Sequence, residues 1–242
     1  FLYEVPVNLL KQEVREPAIY NAIITAIATG YSRMSEISTK VGESTTTCTS
    51  YIKNLINLGI IKKETPYGEK ASKKTIYSIE DNMFYFWYRF VLKNSAVIAR
   101  GAADLVYKRI EKQLNDYMGR IFEEICTQYL WKQLLSGNMP VEFVSLGRWW
   151  GNDPGKRSQT EIDIMGEQDS ESAIFAECKW RNEKVDLDVL ETLVDRSGLF
   201  HYTKVQYFLF SKTGFTKGCV EKARKMGNVT LVRYEDIVSL KR

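Results

Sequence analysis

Between residues 160 and 180 the chain reads TEIDIMGEQDSESAIFAECKW, two short apolar runs joined by a polar turn, each with a carboxylate among its hydrophobic residues. Runs of this length around such a turn predict a β-hairpin. Strand side chains alternate between two faces, so Glu177 and Lys179 share a face and Cys178 takes the other. With the turn centred on Asp169 and Ser170, paired residue numbers sum to about 340, which sets Asp163 opposite Glu177 and Glu161 opposite Lys179. Directly opposed carboxylates repel unless a cation lies between them. The segment therefore requires a fixed register and a sheet that can hold charge in its interior.

The surrounding chain supplies such a sheet. From residue 141 strand-like and helix-like stretches alternate: VEFVSLG, TEIDIM, AIFAECKW, a helix over 187–200, VQYFLFS, a helix near 216–226, and VTLVRY. This pattern predicts an α/β layout with a central mixed β-sheet flanked by helices. The stretch GRWWGNDPGKRSQ, just before the hairpin, reads as a basic loop. In it Arg148, Lys156 and Arg157 could grip phosphate, or Trp149 and Trp150 could wedge into the edge of the core. It is not a P-loop, because it lacks both the G-x-x-x-x-G spacing and the Ser or Thr after Lys. No ATP site is legible in the chain.

The first eighty residues follow a different period. Ile19, Ile23, Ile24 and Ile27 mark one helical face, Ile37 and Val41 a second, and Ile52, Leu55 and Ile56 a third. Ser35 is a candidate cap for the second helix and Gly42 its end; Ser44 or Thr45 caps the third and Gly59 stops it. IIKKET, the turn-forming PYGEKASK and KTIYSI then predict a hairpin. Three helices and a lysine-tipped hairpin resemble a winged helix-turn-helix domain. That resemblance implies DNA contact through Thr46, Thr47, Ser50 and Lys53 on the third helix, with Thr45, Thr49 and Asn54 beside them, and through Lys62, Lys63, Lys70 and Lys73 on the wing.

Charge agrees with that location. Residues 45–75 hold six lysines against two glutamates, an excess of four that equals the net charge of the whole chain. The segment contains no arginine, which favours backbone contact over base readout. The competing explanation is a solvated hairpin edge whose lysines oppose sheet aggregation. Beyond it, DNMFYFWYRFVLKN predicts a helix burying Phe84, Trp87, Tyr88 and Val91 against a neighbouring domain. Residues 103–134 then read as two amphipathic helices interrupted near 117–119, the second with Ile121, Phe122, Ile125 and Leu130 as its core stripe.

Several function classes are excluded. One histidine, His201, rules out H-E-x-x-H zinc hydrolases, and four scattered cysteines without a C-x-x-C pair argue against a zinc site or a disulfide framework. No apolar run reaches the roughly 20 residues of a membrane helix, and no signal-peptide pattern is present, so a cytoplasmic location is expected. A start at Phe1 suggests a piece of a longer chain.

The facing carboxylates then become chemically informative. Mg²⁺, or Mn²⁺, accepts one or two carboxylates, a backbone carbonyl and several waters, often with substrate phosphate. Asp163, Glu177 and the Cys178 carbonyl would supply that set. Lys179, on the same face, would orient or activate the attacking water, which describes metal-dependent phosphodiester hydrolysis. A structural ion network is the alternative.

An acid on one strand, E-C-K on the next and an acidic upstream helix resemble the PD-(D/E)xK nuclease superfamily over roughly residues 118–235. The resemblance implies a restriction-endonuclease-like fold in which Asp163 and Glu177 bind metal, Lys179 is the catalytic lysine, and Glu123, or less well Glu124, is the helix glutamate. No further acid is evident after Trp180, Glu191 and Asp195 being candidates.

More specifically, LLKQEVREPAIYNAIITAIATG, FWYRFV, G-R-I-F-E, R-W-W, E-I-D and E-C-K resemble the C-terminal half of archaeal-type AAA+/STAND ATPases that carry a DUF234 domain. That implies a lid or linker segment over 1–16, a winged helix over 17–80, an aromatic connector over 81–117 and a nuclease-like domain over 118–242. ATP would then bind only in an absent N-terminal module. Duplex or branched DNA and that ATPase module are the expected partners, with a homo-oligomer left open. A non-catalytic regulatory or protein-interaction module of the same ATPase is the alternative function.

Overall fold

A computed structural model describes residue 6 and residues 16–69 and 73–239. The chain forms two compact units, the first running to Thr65 and resuming over Glu69–Lys112, the second made of Pro66–Gly68 and residues from Gln113 onward. Most of the 1–16 segment, together with Lys70, lies outside the described residues.

In the first unit, α1 (Pro17–Ala28) begins on a proline, whose missing N–H costs nothing at a helix start, and buries Tyr20, Ile23, Ile24 and Ile27. Helix α2 (Met34–Val41) does not use Ser35 as its cap: Glu36 accepts the Ser32 and Arg33 amides instead, and the cap position is Arg33, two residues earlier than expected. Its end at Gly42 is left-handed, with φ 81°. Helix α3 (Thr45–Asn57) is capped by Ser44, whose hydroxyl accepts the Thr47 amide at 3.0 Å. Strands β1 (Ile61–Glu64) and β2 (Ile76–Ile79) pair antiparallel in the register Ile61↔Ile79. Three helices and this hairpin give the element order of a winged helix.

The aromatic run forms α4 (Asn82–Phe86) and continues as a π-helical turn over Trp87–Val91. Phe84, Trp87 and Tyr88 are buried as the spacing predicts, Tyr85 and Phe90 join them, and Val91 is half-buried. The Tyr88 hydroxyl donates to Asn21 on α1, so these rings complete the core of the first unit itself. A short helix α5 (Ser95–Ile98) follows.

Helix α6 (Ala103–Leu135) is continuous, where the sequence suggests two helices. Gly119 costs a helix only about 1 kcal/mol relative to alanine, and burial of Tyr117, Phe122, Cys126 and Leu130 offsets it. The second unit's sheet runs β3 (Gly147–Asp153), β4 (Ser158–Glu167), β5 (Ser172–Lys179), β6 (Lys204–Ser211) and β7 (Val229–Arg233) in that spatial order. The β3–β4 and β4–β5 pairs are antiparallel, the β5–β6 and β6–β7 pairs parallel, giving the expected mixed sheet.

Two expectations fail at the first strand. VEFVSLG is largely irregular, although Val141 and Phe143 are buried, and the basic stretch taken for a loop is β3 and its turn into β4. Alternating apolar residues can cover a core without joining a ladder. Conversely, the Trp149↔Ile162 pair makes a strand of the tryptophans, and Asp153 closes the turn by accepting the Gly155 and Lys156 amides.

Helices cover both faces of the sheet. Phe122, Cys126 and Leu130 of α6 pack on Ile164, Ile174, Ala176, Phe208 and Phe210, joined by α9 (Tyr234–Ser239) through Tyr234 and Ile237. On the opposite face α7 (Leu187–Ser197) and α8 (Lys217–Met226) bring Leu190, Leu193, Cys219 and Ala223 onto Ile162, Met165, Phe175 and Leu209. Strand β5 is therefore central and buried along nearly its whole length, which explains its unbroken apolar composition.

Candidate functional site

The β4–β5 ladder has the register Ile164↔Ala176, whose numbers sum to 340 as the hairpin reading requires. It runs from there to Glu167↔Ala173 and stops before Asp163. At that point the Asp163 carboxylate accepts the Cys178 amide at 2.8 Å, so a side chain replaces the next backbone bond and the strands part. Glu161 consequently does not pair with Lys179. It forms an ion pair with Arg148 on the other side, from β3.

A bulge in β4 shapes the same place. Between the pairs Gly147↔Met165 and Trp149↔Ile162, one residue of β3 lies opposite two of β4. One extra residue is thus accommodated at Asp163 and Ile164, where bulges characteristically re-aim a side chain. Nothing in the local sequence announces it.

Glu177 is buried, with 6% exposure, and so is Asp163 at 8%. Lys179 donates to Glu177 at 2.6 Å, and Arg196 from the last turn of α7 approaches both carboxylate oxygens at 3.4 Å. Glu123, from α6, faces the same cluster. Burial pushes its carboxyl up, Asp163 adds to that, and Arg148 and Lys179 only partly oppose it. Asp163 is likewise raised, first by burial and then by the Glu177 charge. For Lys179 burial works against the ammonium, but Glu177 and Asp163 outweigh it and raise the group above its usual value. Lys179 is therefore a fixed cation at neutral pH. As an ammonium it can orient water and neutralise charge.

Four expected residues, Glu123, Asp163, Glu177 and Lys179, thus share one electrostatic neighbourhood. Helix α7 contributes no acid to it: Glu191 and Asp195 line an open groove of about 450 Å³ with Leu190, Val194, Lys222 and Met226, and Asp195 pairs with Lys156. What α7 sends to the site is Arg196, whose spacing from Val189 and Leu193, at i+7 and i+3, is the signal the sequence carries. Lys156 and Arg157 sit in the β3–β4 turn, Arg157 with a φ of 50°, and Trp149 packs edge-on against Phe200 at 5.1 Å.

Among the described residues no group of three or more His, Cys, Asp or Glu side chains is arranged as a metal cage. The donor chemistry still fits a hard divalent ion, since burial and then the Glu177 charge raise Asp163, a cation would relieve both, and water or phosphate fills the remaining positions. The Cys178 and Cys126 thiols are buried and pushed up by that burial, so they offer no thiolate.

In the first unit Thr46, Ser50 and Lys53 lie exposed at helical spacing on α3, while Thr47 is half-buried beside Ser44. Lys63 and Lys73 are exposed; Lys62 lies 3.9 Å from Glu80, and Lys74 pairs with Glu69 at 2.8 Å. Part of the lysine excess is thus balanced locally. Among the described residues no helix is long and apolar enough to cross a membrane.

The DUF234 family model, described as archaeal and bacterial proteins of unknown function, matches residues 87–190. An uncharacterized protein of Methanocaldococcus jannaschii is 35% identical over 183 residues, 75% of this chain. The chain spans 40% of that relative's length. Among solved structures, protein VC1899 from Vibrio cholerae is similar over 99% of this chain and 52% of its own, at 14% identity and a TM-score of 0.36. Wild-type Lactococcus lactis ZitR in complex with DNA is similar over 48% of this chain and 79% of its own, at 13% identity and a TM-score of 0.29. Scores at this level do not establish a common fold.

Proposed function

We propose that the second unit is a PD-(D/E)xK-type, divalent-metal-dependent phosphodiester-hydrolysing site, and that the first unit is a winged helix that binds DNA. The observation that carries the first half is the parting of β4 from β5 at Asp163, with that carboxylate held by the Cys178 amide beside buried Glu177 and Lys179. A sheet interior does not otherwise gather repelling carboxylates at the end of a ladder.

Asp163, Glu177 and the Cys178 carbonyl would hold Mg²⁺ or Mn²⁺, which supplies Lewis acidity toward phosphate and water when bound. Arg196 fixes the Glu177 carboxylate from α7. The Lys179 ammonium, held by Glu177, is placed to stabilise negative charge developing on a phosphate oxygen. Glu123, kept high in pKa by burial, can hold a proton at neutral pH and is the residue fitted to give it up or share it with a water. On the DNA side, Thr46, Thr47, Ser50, Lys53, Lys63 and Lys73 provide backbone contacts without arginine forks for base reading. The wider proposal, drawn from the sequence resemblance, attaches the chain to an ATPase module in which any ATP would bind.

The test is incubation of plasmid, linear and branched DNA with Mg²⁺ or Mn²⁺. Cleavage by the native chain and its loss in Asp163→Ala and Lys179→Ala is the expected result; equal cleavage by all three contradicts the assignment. A second reading has its own support, because Glu177 is already paired with Lys179 and Arg196. A site compensated in this way can serve as a non-catalytic scaffold. Absence of both cleavage and calorimetric metal binding selects that reading.

A further inference from the structure

We propose that Arg148 is a phosphate-binding residue of the Asp163–Glu177–Lys179 site, with its guanidinium gripping an unesterified oxygen of the phosphodiester. The inference deepens the hydrolytic reading of that site and rests on it. It starts from register. The flanking pairs Gly147↔Met165 and Trp149↔Ile162 leave Arg148 across from the bulged residues Asp163 and Ile164. One strand further on, the Asp163 carboxylate accepts the Cys178 amide, next to Glu177. Arg148 therefore stands across from Asp163, whose carboxylate feels the charges of both Arg148 and Glu177.

The bonding of the guanidinium is lopsided. Nη2 is tied to the Glu161 carboxylate, which fixes the plane of the group. Nε is buried and has no hydrogen-bond partner; among the described residues the only other buried side-chain nitrogen or oxygen in that condition is Nε of Arg181. A buried donor without an acceptor is costly, and native structures rarely keep one without a purpose. Glu123, Glu161 and Asp163 surround the group closely enough to sustain its charge against burial. The guanidinium is held on one side by Glu161 while the side chain keeps 36% exposure, so a phosphate oxygen reaching its exposed side meets a positioned charge. Arg148 exchanges no proton or electron in this role. It binds and orients while a P–O bond forms to water and another breaks.

The rival explanation is that Arg148 only pairs with Glu161. The two separate when Arg148→Gln, Arg148→Lys and Glu161→Gln are compared in a Lys53→Ala/Lys63→Ala background, which lowers DNA binding by the first unit. The probe is a fluorescein-labelled duplex, followed by anisotropy in Ca²⁺ and by single-turnover cleavage in Mn²⁺, with urea midpoints confirming that each variant is folded. Arg148→Gln is expected to weaken binding about tenfold, to make the salt slope shallower by about one, and to slow cleavage about a hundredfold. Arg148→Lys should recover part of the binding through charge alone, and Glu161→Gln, whose amide oxygen can still accept from Nη2 and keep the guanidinium oriented, should leave binding within about twofold of the background. Equal losses in Arg148→Gln and Glu161→Gln, or native-like binding by Arg148→Gln, overturn the proposal. If the native chain binds but never cleaves while Arg148→Gln still loses affinity, the phosphate contact stands and the hydrolytic reading falls.

Discussion

The two units handle charge in opposite ways. On the first, lysines lie in water along α3 and the hairpin, and their pairs with Glu80 and Glu69 are exposed enough that each contributes about 0–1 kcal/mol. On the second, Asp163 and Glu177 are buried, Glu177 against Lys179 and Arg196, and burial itself shifts the Asp163 carboxyl group. Charge of the first kind is nearly free to the fold and is read by a partner through long-range attraction. Charge of the second kind costs the fold stability, and such sites are where chemistry is commonly found. On the proposed reading, one chain separates attraction for an anion from the chemistry done on it.

The largest effect that would sharpen this contrast comes from Glu177→Ala. Removal of one partner from a buried ion cluster leaves Lys179 and Arg196 uncompensated, so a loss of about 3–5 kcal/mol is expected in urea unfolding followed at Trp180. Lys63→Ala in the first unit should stay within about 0.5 kcal/mol. Comparable losses from both substitutions would dissolve the distinction.

The next effect is pH dependence. Asp163 and Glu123 have folded-state pKa values above their unfolded ones. Their contribution to stability is therefore complete below the ordinary carboxylate range and is lost as pH rises through the raised folded values. Without added metal, the second unit should become less stable between about pH 5 and pH 8, and Asp163→Asn should flatten that slope. Mg²⁺ should restore stability at the upper end in the native chain and much less in Asp163→Asn, as measured by the shift of the urea midpoint. A native profile already flat without metal would mean that the cations present suffice.

How much of this the sequence disclosed follows the same division. The first unit is legible because its cues are local: Ser44 before α3, Gly42 and Gly59 after their helices, and isoleucines at helical spacing. In the second unit Asp163, Glu177 and Lys179 were legible because period-two alternation and one turn fix a hairpin register. Arg148 and Arg196 were not, because a bulge in β4 and the seating of α7 on the sheet bring them in, and both are tertiary events. The failures at β3 and α6 have one cause. Tryptophans flanked by Gly and Arg, and Gly119 inside a helix, carry local signals that cross-strand pairing and core burial override.

The smaller effects belong to the exposed unit. If Lys53, Lys63 and Lys73 each touch a phosphate, alanine at any one of them should make the slope of log affinity against log salt shallower by about one, with little change in preference between sequences. Binding that persists at high salt would break that reading, and a sequence-dependent loss would point instead to base contacts by Thr46 or Ser50.

Smaller still is Ser44→Ala, which removes the hydroxyl that accepts the Thr47 amide and should destabilise α3 by about 1 kcal/mol. It touches no charge, so at temperatures where the first unit stays folded the salt slope should be unchanged while affinity falls only by the fraction of α3 that frays. Hydrogen exchange at the first turn of α3, compared with duplex anisotropy, measures both quantities on one protein. If the cap variant altered the salt slope as a lysine variant does, α3 would be presenting its charges through its own stability, and the exposed unit would not be the passive attractor that its surface lysines describe.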